Sequence, residues 1–220
     1  ERILRAIETG VELATIVCAG TGSGKTLAFY VPALASIYRH LLMDDKSKRW
    51  VKAIAIYPRT ELLKDQLREV FQRIRCLQAG VPQEDKVSFC VGALYGDTPH
   101  SAKFCDWPKI GNDRVCPTLA CLDCGGELRW LHKDHSEGRE RLVGACCESV
   151  LDGTVFPLTR EALISSVPDI LFTTTEMLNQ RLSDSSMMHL FGVGPKALHA
   201  PELVLMDEVH TYEGKHGAQV

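Results

Sequence analysis

The stretch AGTGSGKT, residues 19–26, decides how the chain is read. An apolar run, LATIVCAG (13–20), leads into it, and KTLAFYVPALASIYRHLL (25–42) follows with helical periodicity. A strand that turns through glycines into a helix brings backbone N–H groups round a bound anion at the positive end of the helix. Gly20, Gly22 and Gly24 permit that turn, with Thr21 and Ser23 between them. Lys25 is placed to reach the β- and γ-phosphates of a nucleoside triphosphate, and the Thr26 hydroxyl to ligate Mg²⁺. The strict pattern begins with glycine, and Ala19 stands there instead.

A second acidic signal lies far along the chain. LVLMDEVH (203–210) puts Asp207 and Glu208 at the end of an apolar strand. Next to a phosphate loop this is a Walker-B arrangement: Asp207 holds Mg²⁺, partly through water, and Glu208 orients and deprotonates the attacking water. Two adjacent carboxylates alone are often a plain strand-end pair, so the reading depends on the loop at 19–26. His210, taken alone, is an ordinary polar residue.

Between these signals, apolar strand-like runs alternate with periodic helical ones. VKAIAIYP (51–58) precedes the amphipathic TELLKDQLREVFQRIRCL (60–77); VSFCVGALYG (87–96), DILFTTT (169–175) and ELVLMDE (202–208) complete the set. Continuous apolar strands separated by helices predict an α/β fold, a parallel sheet with helices on both faces. Ligands of such sheets bind at the carboxyl ends of the strands, where the glycine-rich and acidic turns fall here.

Residues 101–156 break this rhythm and hold six of the nine cysteines. A structureless loop of that length is unusual inside a compact domain, whereas a small insert held by metal is not. The expected division is therefore a first part at 1–100, a cysteine-rich zinc-binding insert at 101–156 and a second part at 157–220. Cys121-Leu-Asp-Cys124-Gly-Gly has knuckle spacing, with two thiolates able to face one Zn²⁺ above a glycine turn. The expected ligands are four of Cys116, Cys121, Cys124, Cys146 and Cys147, favouring the first three with one of the adjacent pair. Cys105, His132 and His135 are reserves. Trp107 and Trp130, with Arg129, Lys133, Arg139 and Arg141, are residue types that contact nucleic acid; a solvated charged face accounts for the charges equally well. Cys18, Cys76 and Cys90 sit singly in apolar segments and read as buried free thiols.

Hydrophobic residues make up 45% and charged residues 24%, a globular balance. A net charge of −3 means that nucleic-acid binding would need a local basic surface. No apolar run is long enough for a membrane span and no signal peptide opens the sequence, so a cytoplasmic setting and reduced cysteines are expected.

AGTGSGKT with DEVH resembles motifs I and II of superfamily 2 helicases, the DEAD/DEAH-box group in its DExH form, in which alanine at the position of Ala19 is common. YPRTELLKDQ (57–66) resembles motif Ia, YGDTP (95–99) the segment after the next strand, and TTTEML (173–178) motif Ib. DEVHTYEGKHGAQV is similar to the extended motif II of prokaryotic DNA helicases of the Hrq1-like and Lhr-like groups. The resemblance implies a RecA-like P-loop NTPase domain that binds ATP and Mg²⁺. It also implies that Arg59, Thr60, Gly96, Asp97, Thr174 and Thr175 lie along the backbone of a single-stranded or tailed nucleic acid, DNA favoured over RNA. His210 would couple the nucleotide site to a second RecA-like domain or to motif III.

That second domain, its arginine fingers and the adenine-reading glutamine would lie outside 1–220, which reads as a piece cut at both ends. Alone it would be a weak ATPase. The leading function is thus the first motor domain of an ATP-dependent helicase or translocase. The alternative is an ATP-gated DNA-sensing subunit of a restriction or phage-defence complex. A zinc-dependent nucleic-acid-binding module with a vestigial phosphate loop is disfavoured by the intact Lys25, Thr26, Asp207 and Glu208.

Overall fold

The computed structural model describes residues 25–43 and 49–208, with the side chains of Lys25 and Thr26 excepted. The expected strand at 13–20, the loop residues Gly20, Thr21, Gly22, Ser23 and Gly24, and His210 lie outside the described residues.

A four-stranded parallel sheet organises the chain. Its strands are β1 (Ala53–Tyr57), β2 (Val91–Leu94), β8 (Ile170–Thr174) and β9 (Leu203–Met206), in the order β2-β8-β1-β9. Ala53 pairs with Ile170 on one side and Leu203 on the other, and Val91 pairs with Ile170. All four strands therefore start and finish level.

Side chains alternate across the sheet and meet a different layer on each face. Ala53, Ala55, Tyr57, Ile170 and Phe172 join the core under α1 (Lys25–Met43) and α2 (Thr60–Ala79). Ile54, Ile56 and Leu171 face the opposite core, with Leu163 of α4 (Arg160–Ser165), Met177 of α5 (Thr175–Arg181) and the short turn of helix carrying Leu190 and Phe191. Helices cover both faces, as the alternation of runs predicts. On α2, Leu63, Leu67, Val70, Phe71 and Ile74 are buried at spacings that draw one stripe along a helix. The 87–96 run contributes only Val91–Leu94 as strand.

The amino edge of the sheet is clamped by a buried ion pair. Lys52 Nζ lies 3.0 Å from Asp169 Oδ1, with the two side chains 5% and 1% exposed. The other Asp169 oxygen accepts from the Cys90 amide at 2.8 Å, and Lys52 Nζ also donates to the Trp50 carbonyl. The backbone carbonyl of Lys52 accepts from Glu202 and Leu203, and that of Asp169 from Lys52 and Ala53. One residue pair thus ties together the approaches to all four strands.

Within the cysteine-rich segment, β3 (Lys109–Ile110), β4 (Asp113–Val115), β5 (Leu128–Trp130), β6 (Arg141–Gly144) and β7 (Val150–Asp152) form an antiparallel meander. A short helix, α3 (His132–Ser136), joins β5 to β6. Buried Asp134 on α3 accepts from Arg141 at 2.9 and 3.0 Å and pairs with Arg139. The meander has no core of its own. Trp107, Cys116, Leu119, Leu128, Trp130, Leu142 and Phe156 belong to the same apolar cluster as α1 and α2, with Phe71 of α2 edge-on to Phe156 at 5.8 Å.

Breaking a buried ion pair on one side leaves an uncompensated charge. Asp169→Ala should therefore cost about 3–5 kcal/mol of stability by urea unfolding. Replacing Lys52 and Asp169 together by apolar residues should cost much less. A loss below about 1 kcal/mol for the single variant would show that the clamp does not hold the edge.

Candidate functional site

Because the strands finish level, the turns after them share one edge. β1 leads to Arg59 and Thr60, β2 to Gly96 and Asp97, β8 to Thr174 and Thr175, and β9 to Asp207 and Glu208. Four segments spread over 150 residues of sequence are thereby gathered at the carboxyl edge, the ligand-binding edge of open parallel sheets. α1, which follows the glycine-rich residues 20–24 in sequence, is anchored to the same edge. The Tyr30 hydroxyl is hydrogen-bonded to that of Tyr57, the last residue of β1. Burial, then the neighbouring Tyr57, pushes the Tyr30 hydroxyl well above its usual pKa, and the Asp207 carboxylate adds to the push.

Each turn is built differently. Arg59 is exposed and caps α2 through its backbone, whose carbonyl accepts from Leu63 at 3.1 Å, so its side chain takes no part in the cap. Thr174 caps α5 with its hydroxyl, which accepts from the Met177 amide at 3.3 Å. The Tyr95–Thr98 turn is closed by Thr98, whose hydroxyl accepts from Tyr95 N at 3.1 Å and donates to Ala93 O at 2.9 Å. Gly96 and Asp97 are left exposed at its tip. The Asp97 carboxylate lies 3.3 Å from Lys64 Nζ. After β9, the Glu208 amide donates to Asp207 Oδ1 at 2.8 Å, and Glu208 has a φ of 51°. That left-handed backbone is disfavoured for any residue with a Cβ, and such strain concentrates at functional turns.

The insert grips the Tyr95–Thr98 turn, which sequence reasoning missed. The Trp107 indole donates to the Asp97 carbonyl at 2.9 Å, and the Tyr95 hydroxyl is bonded to that of Thr118. Trp107 and Trp130 are accordingly not a stacking surface for bases. They are 5% and 0% exposed, their rings are 5.8 Å apart, and the Trp130 indole donates to the Arg139 carbonyl. Arg129, Arg139 and Arg141 are engaged with carboxylates of the same segment, although Arg139, like Lys133, remains exposed.

The cysteines divide into two sets. The sulfurs of Cys121, Cys124 and Cys147 lie within 4.8 Å of one another, and Cys146 Sγ is 2.9 Å from Cys124 Sγ. Cys116 is outside this group, buried under Tyr95 and Thr118, and burial pushes its thiol up. Cys105 is buried elsewhere in the core. Burial opposes ionisation of Cys121, but the Cys124 and Asp123 amides and the Cys147 thiol outweigh it and bring the thiol down to about 7. The Ser149 amide lowers Cys147, yet the nearby Cys121 and Cys124 sulfurs push it up to about 12. One sulfur of the cluster ionises readily and repels the next negative charge.

Among known families, the model of the DEAD/DEAH box helicase matches residues 2–103. The match takes in residues 19–26, α1, β1, α2 and β2, and is a similarity to that family over somewhat less than half of the chain. No curated protein and no solved structure matches the chain significantly. Among the described residues no helix is long and apolar enough to cross a membrane.

Replacing Trp107 by Phe keeps the ring in the core and removes the N–H that reaches Asp97. Urea unfolding should show a loss of about 0.5–1.5 kcal/mol, the net contribution of one part-buried hydrogen bond. An unchanged midpoint would mean that this bond does not hold the turn.

Proposed function

We propose that the chain supplies the ATP-binding domain of a nucleic-acid helicase or translocase, which couples Mg·ATP hydrolysis to movement along a single strand, DNA favoured. The supporting observation is the convergence of Arg59–Thr60, Gly96–Asp97, Thr174–Thr175 and Asp207–Glu208 on one sheet edge, with the helix after the phosphate loop tied to that edge at Tyr57. In this reading Gly20, Thr21, Gly22, Ser23 and Gly24 cradle the phosphates and Lys25 neutralises them. Thr26 and Asp207 hold Mg²⁺, and Glu208 positions and deprotonates the attacking water. His210 relays the nucleotide state to a second RecA-like domain, the partner that brings the arginine finger. Exposed Arg59 and the hydroxyls and amides of the other turns hold the sugar–phosphate chain without reading bases. The insert, through its thiol cluster, binds zinc.

In the full-length protein, ATP hydrolysis should rise with single-stranded DNA, fall to background in Lys25→Ala and drop about 10²-fold or more in Glu208→Gln. Hydrolysis indifferent to nucleic acid would sink the motor reading. Arg59→Ala should weaken binding of single-stranded DNA of any sequence. The slope of log affinity against log salt should become shallower by about 0.7, the share of one phosphate contact on a single strand.

A further inference from the structure

The knuckle Cys121–Gly126 is a tight turn closed by two backbone bonds, Cys121 N to Gly126 O at 2.8 Å and Gly125 N to Cys121 O at 2.9 Å. Facing it, Gly144–Ser149 closes through Gly144 N to Ser149 O at 2.7 Å, with Glu148 at a φ of 54°. The Ala145 amide ties the second turn to Glu127 at 2.9 Å. Adjacent side chains of a strand point to opposite faces, which speaks against two neighbouring cysteines sharing an ion. Cys146 and Cys147, however, lie past the end of β6, inside the turn.

There they meet different partners across the gap. Cys147 Sγ is 3.3 Å from Cys121 Sγ, and Cys146 Sγ is 2.9 Å from Cys124 Sγ. The glycine of each turn repeats the pattern. A Cβ on Gly126 would stand 2.8 Å from the Cys146 sulfur and 3.4 Å from that of Cys124. A Cβ on Gly144 would stand 2.9 Å from the Cys147 sulfur and 3.4 Å from that of Cys121. Two turns thus bring two thiols each to one place, with glycine where a side chain would block it. Four sulfurs round one tetrahedral zinc stand ~3.8 Å apart; those of Cys121, Cys124 and Cys147 already lie within 4.8 Å of one another, and Cys146, which touches Cys124 from outside that group, would move in to complete it.

We infer that Cys121, Cys124, Cys146 and Cys147 together bind one structural zinc ion, with both members of the adjacent pair as ligands and Cys116 excluded. The inference rests on the zinc reading of the insert and sharpens it to a ligand set. Four thiolates and no vacant position make the site structural rather than catalytic. The ion also fixes the insert against the motor domain. Asp123, inside the knuckle, accepts from Arg75 of α2 at 2.7 Å and from the Ser149 side chain, and Gly125 lies against Arg68 of the same helix. Metal at this point therefore anchors α2, the helix that starts at the Arg59–Thr60 turn.

The test uses the full-length protein purified under reducing conditions. Elemental analysis should find a single zinc for this cluster. Alkylation under denaturing and native conditions mapped by mass spectrometry, with and without a chelator, should show Cys146 and Cys147 both protected in the native protein until zinc is removed; both are exposed to the reagent. This readout needs no variant to fold. Cobalt(II) substitution should give thiolate charge-transfer absorption that Cys146→Ser and Cys147→Ser each diminish and Cys116→Ser leaves intact. Protection of only one of the pair, or loss of the band in Cys116→Ser, would overturn the ligand set and leave the zinc reading standing. A metal-free folded protein, or a Cys124–Cys146 disulfide, would overturn both.

Discussion

The level alignment of the parallel strands depends on the buried contact between Lys52 and Asp169. A parallel sheet has no hairpins to set its register, so something outside the ladder must do so. Here a charge pair stands just ahead of β1 and β8, and it reaches the approach to β2 through the Cys90 amide and that of β9 through the Lys52 carbonyl. A charged pair in a nearly dry place is poor as a source of stability but exacting in geometry, because any slip strands a charge without its partner. Fixing the amino edge fixes the opposite one. The turns that follow the strands arrive together because the strands have closely matched lengths from a common start.

A second constraint comes from the way the insert is attached. A five-stranded meander of short strands buries little surface by itself and gains stability by packing on a larger core. This one borrows the core of α1 and α2, through Phe71 against Phe156 and through Tyr95 and Thr118. The same contacts place Trp107 under the Asp97 turn. The meander and the parallel sheet thus meet at that turn through shared packing and hydrogen bonds.

Much of this was legible in the sequence, for identifiable reasons. Helix α2 announces itself by the spacing of Leu63, Leu67, Val70, Phe71 and Ile74, and the sheet by runs that are apolar at every position because both faces are covered. The acidic and glycine-bearing turns follow from where those runs end. What stayed hidden depends on contacts between distant segments. Lys52 and Asp169 look like ordinary charges beside strands and acquire meaning only when paired across 117 residues. Cys116 is five residues from the knuckle in sequence yet turns into the core, since spacing along a chain does not tell which way a side chain faces. The adjacent Cys146 and Cys147 lie in a turn, where the alternation of a strand does not apply. The family match stops at 103, near the start of the cysteine-rich segment.

The burial of Trp107 and Trp130 changes what the insert can be. A surface that binds single strands by stacking needs exposed rings beside unpaired cations. Here both rings are inside, each indole N–H is held by a backbone carbonyl, and three arginines of the segment are matched to its own carboxylates. The arginines that hold buried Asp134 could leave it for phosphate only at the cost of a bare charge in the core. Both tryptophans of residues 105–141, and the arginines paired with Asp134, therefore serve to build the meander. Its influence on the carboxyl edge runs through the backbone of Asp97 and through α2, by position rather than by charge.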